Sequence, residues 1–123
     1  MNELVKKAIE ARQKSYSPYS KFAVGAALEA EDGTVFTGCN VENASYGLTV
    51  CAERIALMKA VSEGAIKFRR IAIVADHPQP TPCGACRQVL YEFAPELEII
   101  LANTKGETET VKLSNLLPKA FRF

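Results

Sequence analysis

Two cysteines three positions apart, Cys83 and Cys86, are the first residues whose types and spacing could support chemistry. They lie in the segment PCGAC at positions 82–86, with a proline before the first cysteine and small residues between the two. Taken alone, this spacing is compatible with a metal site, a redox pair, a disulfide or a tightly packed helix start. Other residues of the chain have to distinguish between these four interpretations.

A third cysteine extends the pair, because Cys51 and Cys83 each fall at the predicted start of a helix. A helix N-terminus stabilises a thiolate through its dipole and its unpaired N–H groups, which lowers the pKa of a cysteine there. Residues three apart share one face of a helix, so Cys83 and Cys86 can face the same ion. Three thiolates from two helix starts would form three corners of a zinc tetrahedron.

The fourth corner separates a structural from a catalytic zinc, since a catalytic zinc keeps one position for water. Cys39 or His77 as a fourth ligand would make the site structural. Glu53, however, follows Cys51 by two positions. An acid beside an open zinc position can take a proton from bound water and pass it on. Arg54, the next residue, can donate hydrogen bonds to the thiolates and reduce their negative charge.

Less specific interpretations of the same residues remain open at this point. A thioredoxin-like redox pair, or buried and unreactive cysteines, would account for Cys83 and Cys86 without the third cysteine or the adjacent acid. Glu53 by itself would be an ordinary acid in the first turn of a helix. Cys39 is expected to be a small core residue, and His77, in a polar loop, a surface residue.

Hydrophobic periodicity and turn signals predict the elements that must position these residues. They are helices over residues 2–15, 51–64 and 84–93, a hairpin turning at Asp32–Gly33, a buried strand over residues 70–76, and two final strands within residues 97–113. Small residues on the first hairpin strand indicate that another element packs very close to it. The order predicts an α/β fold with a mixed sheet and ligands near the carboxyl ends of strands. The short turn between the last two strands predicts that they are antiparallel.

Composition narrows the class of protein further. The chain has 123 residues, of which 48% are hydrophobic and 24% charged, as expected for one globular domain. Its net charge of +1 disfavours a nucleic-acid or membrane surface as the main partner. The N-terminal segment is amphipathic and charged throughout, unlike a signal peptide. We therefore expect a cytoplasmic protein, in which CxxC is more often a metal or redox site than a disulfide.

The combined pattern resembles the signature of the zinc-dependent cytidine and deoxycytidylate deaminases. Cys51–Ala52–Glu53–Arg54 and the later PCGAC match the two halves of that motif, Cys/His-x-Glu and PCxxC. The cysteine as first ligand and the segments SPYSKFAVGAAL, GCNVENASYG, CGACRQVL and LLPKAF are similar to the small homotetrameric cytidine deaminases in particular. The resemblance covers essentially the whole chain. It implies a three-layer α/β/α fold with a mixed five-stranded sheet, in a single domain over residues 1–123.

The resemblance also implies a reaction and a cofactor. The reaction is hydrolytic deamination of cytidine and deoxycytidine to uridine and deoxyuridine with release of ammonia, in pyrimidine salvage. One Zn²⁺ per subunit would be held by Cys51, Cys83 and Cys86, with Glu53 as the catalytic general acid and base. The partners implied are a small nucleoside and three further copies of the chain.

Further residues receive roles from the resemblance. The implied substrate contacts are Phe22 against the pyrimidine, Asn40 and Glu42 at the ribose hydroxyls, the backbone of Ala52 at the base edge, and Tyr46 and Phe121 reaching the sites of neighbouring subunits. The implied hydrogen-bond partners of the thiolates are Arg54 and, as a weaker candidate, Gln88. Without the resemblance, Phe22 would be assigned to the core, and Asn40 and Glu42 to a polar turn after a strand.

Three other functions share parts of this pattern. A deaminase of a nucleoside antibiotic such as blasticidin would keep the zinc core and differ in the sugar pocket. A deaminase acting on bases of RNA or DNA would need a basic, aromatic groove, which the near-neutral chain does not indicate. A non-catalytic zinc module would need a fourth protein ligand.

Overall fold

The computed structural model describes residues 2–76 and 80–123. Its helices and strands in chain order are α1 (Glu3–Arg12), β1 (Gly25–Ala30), β2 (Val35–Cys39), α2 (Ala52–Ser62), β3 (Phe68–Val74), α3 (Gly84–Phe93), β4 (Glu98–Ala102), β5 (Thr108–Lys112) and α4 (Leu113–Leu116). A single 3₁₀ turn, Tyr46–Leu48, lies between β2 and α2. In this part of the chain, no helix combines the length and apolar character needed to cross a membrane.

The five strands form one mixed sheet in the order β2-β1-β3-β4-β5. β3 and β4 are parallel, whereas β1–β2, β1–β3 and β4–β5 are antiparallel. The predicted mixed sheet, the hairpin and the antiparallel final pair are therefore confirmed. Because α2 and α3 follow strands of this sheet, their N-termini can meet at one edge of it, where a ligand site is expected.

Helices cover both faces of the sheet and give the predicted three layers. Val5 and Ala8 of α1 pack with Ala27, Ala72 and Ile100 on one face. The other face carries the larger cluster, in which α2 and α3 bury their apolar sides against the sheet. The central strands are thus enclosed on both faces, which accounts for the continuously apolar sequence of β3.

Three elements have bounds that differ from those predicted, each for a local reason. α1 ends at Arg12 instead of residue 15, because the N–H groups that follow bond three residues back in a tighter turn. α2 ends at Ser62, and Gly64 after it has a φ of +94°, the usual helix stop. β3 covers residues 68–74 instead of 70–76, since Asp76 has left the strand and bonds through its side chain.

Two glycines allow helices to approach the sheet closely. A Cβ added at Gly25 would lie 2.0 Å from the carbonyl oxygen of Ala8 in α1. A Cβ added at Gly38 would lie 2.4 Å from the carbonyl oxygen of Ala52 in α2 and 2.7 Å from the backbone nitrogen of Ala56. The close packing predicted on the first hairpin strand is therefore confirmed. The Gly38 contact matters for function, because it fixes the distance between the sheet and the first turn of α2.

We expect Gly38→Ala to destabilise the protein, because the contacted atoms belong to backbone and the helix must shift. Overpacking of this kind costs about 1–3 kcal/mol, which should lower the melting temperature of the zinc-loaded protein by roughly 10 °C. Gly47→Ala is the control, since nothing lies within 4 Å of a Cβ added there. If thermal unfolding gives the two variants the same melting temperature, the close contact at Gly38 does not limit the stability of the protein.

Candidate active site

Three cysteine thiols converge where the two helices begin. Cys51 is the N-cap of α2, Cys83 is the N-cap of α3, and Cys86 lies in the first turn of α3. The Sγ–Sγ distance is 3.9 Å between Cys51 and Cys83 and 3.4 Å between Cys83 and Cys86. All three sulfur atoms lie within 4.8 Å of one another. Residues more than thirty positions apart thus form one cluster.

The spacing of the sulfurs fits zinc. Zinc–thiolate bonds of about 2.3 Å at tetrahedral angles place two sulfurs roughly 3.8 Å apart. The measured separations of 3.9 and 3.4 Å bracket that value. Within residues 2–76 and 80–123, no other cysteine, histidine or carboxylate belongs to this cluster. Among the described residues the donor set therefore provides three corners, the number that a catalytic zinc takes from the protein.

Cys83 and Cys86, for which the sequence also allowed a redox pair or a disulfide, are free thiols and belong to this cluster. Cys39, expected in the core, is half-buried at the end of β2 and borders a groove between α1 and α2. It takes no part in the thiol cluster. His77, the other alternative ligand, lies outside the described residues.

Local electrostatics favour the thiolate form at the start of α2. The thiol of Cys86 and, to a smaller degree, the Arg54 guanidinium lower the pKa of Cys51 to about 5. Arg54 Nη2 lies 3.8 Å from Cys51 Sγ and donates to the carbonyl oxygen of Thr49 at 3.2 Å. Interaction with Cys51 and burial raise the pKa of Cys86. A bound divalent cation would take both as thiolates, because coordination displaces the thiol proton.

Cys83 is stabilised by the backbone of its own helix. Its Sγ accepts the N–H of Cys86 at 3.4 Å, as a capping side chain does. The preceding residue, Pro82, is buried, and its carbonyl oxygen accepts from Arg87 Nε at 2.8 Å. Arg87 Nη1 also donates to the carbonyl oxygen of Leu116 at 2.7 Å. Arg87, which sequence reasoning did not single out, thus ties the PCGAC segment to the C-terminal helix.

Glu53 is the buried acid of the site. It lies in the first turn of α2, retains 4% exposure, and lines the same cavity as Cys51 and Cys83. Burial raises the pKa of Glu53 to about 7. A carboxyl group that titrates near neutrality can both accept and release a proton at the working pH.

The cavity beside the thiols has a volume of about 390 Å³, within the range of small-molecule sites. Its described lining residues are Ser20, Phe22, Val24, Asn40, Glu42, Thr49, Cys51, Ala52, Glu53, Ile73, Pro80, Thr81 and Cys83. Five predicted substrate or catalytic residues are thereby brought together: Phe22, Asn40, Glu42, Ala52 and Glu53. Tyr46 and Phe121 lie outside this lining within the described part of the chain.

The polar end of the cavity is built by Asn40 and Glu42. Asn40 Oδ1 accepts the N–H of Val24 at 2.9 Å, and Asn40 Nδ2 donates to the carbonyl oxygen of Phe22 at 2.8 Å. Glu42 accepts the backbone N–H groups of Tyr19 and Ser20 at 2.9 and 3.1 Å, and also the hydroxyl of Ser20.

These bonds have a consequence for charge. The hydroxyl of Ser20 foremost, helped by backbone N–H groups, lowers the pKa of Glu42. The carboxylate is therefore ionised at neutral pH and acts as an acceptor. Ser20 also accepts the N–H of Phe22 at 3.0 Å, so one side chain positions two cavity residues. The segment SPYSKF contains Ser20, yet nothing in its spacing distinguishes this serine from its neighbours.

Three predicted residues lie apart from the thiols. Tyr46 is 73% exposed and contacts Tyr19 edge-on, with ring centroids 6.0 Å apart. Phe121 is 67% exposed and packs against Phe123. Gln88 Nε2 donates to the carbonyl oxygen of Phe121 at 3.0 Å, so its amide contacts the C-terminal segment. Its location favours a role in orienting Phe121 over a role at a thiolate.

Fold and site together have the features of a zinc-dependent hydrolase: a three-thiol cluster, a buried acid and an adjoining cavity. A model of the cytidine and deoxycytidylate deaminase zinc-binding region matches residues 1–102, which include all three thiols and Glu53. The chain therefore belongs to the cytidine and deoxycytidylate deaminase family.

Individual relatives agree with this assignment over nearly their whole length. Cytidine deaminase of Halalkalibacterium halodurans is 54% identical over 120 residues, covering 96% of this chain and 91% of that protein. Cytidine deaminase of Sporosarcina psychrophila is 50% identical over 123 residues, covering 98% and 90%. A crystal structure of cytidine deaminase from Burkholderia pseudomallei superposes with a TM-score of 0.93 at 50% identity, covering 98% of this chain and 100% of that one.

Proposed function

We propose that the protein is a zinc-dependent cytidine deaminase that hydrolyses cytidine and deoxycytidine to uridine and deoxyuridine with release of ammonia. The observation that carries the proposal is the placement of three thiols at zinc spacing beside a buried carboxyl group, with Cys51, Cys83 and Glu53 on the wall of a nucleoside-sized cavity. Relatives named cytidine deaminase, about half identical over nearly the whole chain, support the choice of substrate. Pyrimidine salvage in the cytoplasm is the corresponding role, and it agrees with free thiols kept reduced.

The zinc ligands in this proposal are Cys51, Cys83 and Cys86. When bound, zinc supplies Lewis-acid chemistry, which brings the pKa of a water molecule close to neutrality. Three thiolates around a divalent ion leave a net negative charge, which weakens that effect. Arg54 offsets it, because its guanidinium lies within 4 Å of Cys51 Sγ.

Glu53 moves the protons in this mechanism. Its carboxylate takes a proton from the attacking water and delivers it to N3 of the cytosine ring, which makes C4 more electrophilic. Oxygen then adds to C4 and gives a tetrahedral carbon. Glu53 then carries the second proton of the water molecule from this oxygen to the amino group. The C4–N bond breaks, ammonia leaves, and C4 keeps a carbonyl oxygen. Burial raises the pKa of Glu53, which suits a group that must both accept and release a proton.

The remaining cavity residues bind the nucleoside. Phe22 is 42% exposed and lines the cavity, so its ring is available to a pyrimidine. The backbone of Ala52, which follows the ligand Cys51 and lines the cavity, would meet the base edge. Asn40 and Glu42 form the polar end, where ribose hydroxyls would bind. A donor and an ionised acceptor side by side suit a hydroxyl group, which can use both.

We further propose a homotetramer in which Tyr46 and Phe121 of neighbouring subunits complete each site. Both side chains are more than half exposed, and Leu48 near Tyr46 is 67% exposed. Exposed apolar side chains of this kind are typical of a subunit contact. Light scattering on the zinc-loaded protein should give four times the chain mass, and a monomer at micromolar concentration would contradict the proposal.

Each subunit is a single domain, residues 1–123, as the one sheet with helices on both faces supports.

The experiment that tests the activity combines metal analysis with an absorbance assay. Purified protein should contain one zinc per chain and convert cytidine to uridine, with one ammonia released per uridine formed. Blasticidin S and a cytosine-containing single-stranded DNA, assayed in parallel, represent the two related deaminase activities. Zinc at one per chain without turnover of cytidine would contradict the proposal and favour one of those substrates or a non-catalytic zinc module.

A further inference from the structure

Ser15, at the end of the turn that follows α1, contacts Asn40, one of the residues proposed to bind the sugar. Its hydroxyl lies 2.5 Å from Asn40 Oδ1, 3.2 Å from Ser17 Oγ and 3.3 Å from the carbonyl oxygen of Asn40. Oδ1 is by far the nearest acceptor, so the single proton of Ser15 goes to it. Ser15 is half-buried and is not itself among the described residues that line the cavity.

The hydrogen-bond inventory of Asn40 shows what this contact does. An amide oxygen can accept two hydrogen bonds, and an amide nitrogen can donate two. Oδ1 accepts from the N–H of Val24 and from the hydroxyl of Ser15, so both of its acceptor positions are used. Nδ2 donates one bond to the carbonyl oxygen of Phe22. The one polar function left to the buried amide, which is 7% exposed, is its second N–H.

The orientation of this amide is determined by its partners. The N–H of Val24 can only donate, and the carbonyl oxygen of Phe22 can only accept. Exchanging the oxygen and nitrogen of Asn40 would therefore oppose two donors at one end and two acceptors at the other. The hydroxyl of Ser15 completes the set on the oxygen side.

We propose that Ser15 is a positioning residue for substrate specificity, which makes Asn40 a pure hydrogen-bond donor toward the cavity. This inference rests on the proposed function, in which Asn40 and Glu42 bind a ribose hydroxyl. Next to the ionised acceptor Glu42, a pure donor at Asn40 selects a group that both accepts and donates. The 3′-hydroxyl, which cytidine and deoxycytidine share, is such a group. Without Ser15, Oδ1 regains an acceptor position and Asn40 loses an anchor.

The backbone around Ser15 is held independently of its hydroxyl. The N–H of Tyr16 donates to the carbonyl oxygen of Asn40 at 3.0 Å, and the N–H of Glu42 donates to the carbonyl oxygen of Tyr16 at 2.8 Å. These bonds form a parallel bridge between residues 16 and 41. Removal of the hydroxyl should therefore change the side-chain contact to Asn40 and leave the path of the chain unchanged.

Kinetics with two substrates test the proposal. In the zinc-loaded enzyme, Ser15→Ala should raise KM for cytidine about fivefold, the effect of one hydrogen bond, and leave kcat within about twofold. With 3′-deoxycytidine, the same substitution should change KM by less than about twofold, because the group that Asn40 binds is absent. A purely structural role of Ser15 would affect both substrates equally.

Further variants separate the hydroxyl from the local fold. Ser15→Thr keeps the hydroxyl and should restore KM for cytidine, and Ser15→Cys, a weaker donor, should give an intermediate value. This ranking can be measured even if Ser15→Ala folds poorly. Ser17→Ala is the matched control, since the hydroxyl of Ser17 contacts Ser15 and not the amide of Asn40. Its KM should stay close to that of the wild type.

The possible failures are distinguishable. If the wild type uses cytidine and 3′-deoxycytidine equally well, the sugar-binding role of Asn40 and Glu42 is wrong. If the wild type discriminates but Ser15→Ala raises KM by the same factor for both substrates, the positioning role of Ser15 is wrong. If zinc-loaded wild type does not deaminate cytidine at all, the proposed function itself is wrong.

Discussion

Glu53→Gln is expected to lower kcat for cytidine by about 10³- to 10⁴-fold while zinc stays bound at one per chain. Glutamine keeps the size and one acceptor oxygen of the side chain but cannot take up a proton. General acid and base catalysis contributes on the order of 10²- to 10⁴-fold, and Glu53 is proposed to act at more than one proton transfer. The loss should therefore lie near the upper end of that range.

Zinc retention is the informative half of this result. Glu53 does not belong to the thiol cluster, so its replacement leaves all three sulfur donors in place. The measurements are steady-state rates by absorbance and metal content by mass spectrometry on the same preparation. Glu63→Gln, at the exposed C-terminal cap of the same helix, should leave both unchanged. Near-wild-type turnover in Glu53→Gln would remove Glu53 from the mechanism.

The second large effect concerns Cys86, the fully buried member of the cluster. Cys86→Ala is expected to abolish stoichiometric zinc binding and to lower the melting temperature by more than about 10 °C. Metal binding and folding are coupled, since structural zinc sites contribute apparent free energies of roughly 10 kcal/mol or more. Loss of one of three thiolates removes most of that contribution. The truncation of the small side chain itself costs far less.

A chelator separates the metal from the packing effect. Wild-type protein incubated with a strong chelator should melt near the temperature of Cys86→Ala, whereas the chelator should not change the melting temperature of the variant. Cys39→Ala is the matched control, because Cys39 is a half-buried cysteine outside the thiol cluster. It should bind one zinc and respond to chelator as the wild type does. One zinc per chain in Cys86→Ala would exclude this residue as a ligand.

Two separate supports in the fold position the two halves of the site. Cys51 and Glu53 lie at the start of α2, while Cys83 and Cys86 lie at the start of α3. The contact of α2 with Gly38 fixes the position of the first pair. The bonds of Arg87 to Pro82 and Leu116 fix the position of the second pair. Disturbance of either support should move Cys51 relative to Cys83 and Cys86, so stability and metal binding should be affected together.

Much of the architecture could be predicted because its signals are local. Apolar spacing along α2 and α3, Asp32–Gly33 between two strands, and a continuous apolar run in β3 each act within about ten residues. Cysteines at helix starts follow from the same local patterns. The third helix has the predicted bounds, Gly84–Phe93. Boundaries that depended on side-chain contacts across the fold, such as the end of β3 at Val74, were displaced by two residues.

Residue types and their spacing by themselves determined which groups carry the chemistry of this protein: thiol donors at two helix starts and an acid two positions after the first. They also determined the mixed α/β sheet that holds these groups. Only the tertiary structure decided that the sulfurs lie 3.4 and 3.9 Å apart, that Glu53 is buried, and that Ser15 and Ser20 support Asn40 and Glu42. The reason is the distance along the chain over which each property is determined. A ligand type or a helix start is a property of a few adjacent residues, whereas burial and hydrogen-bond partners arise from segments far apart in the chain, brought together by the packing of helices on both faces of the sheet.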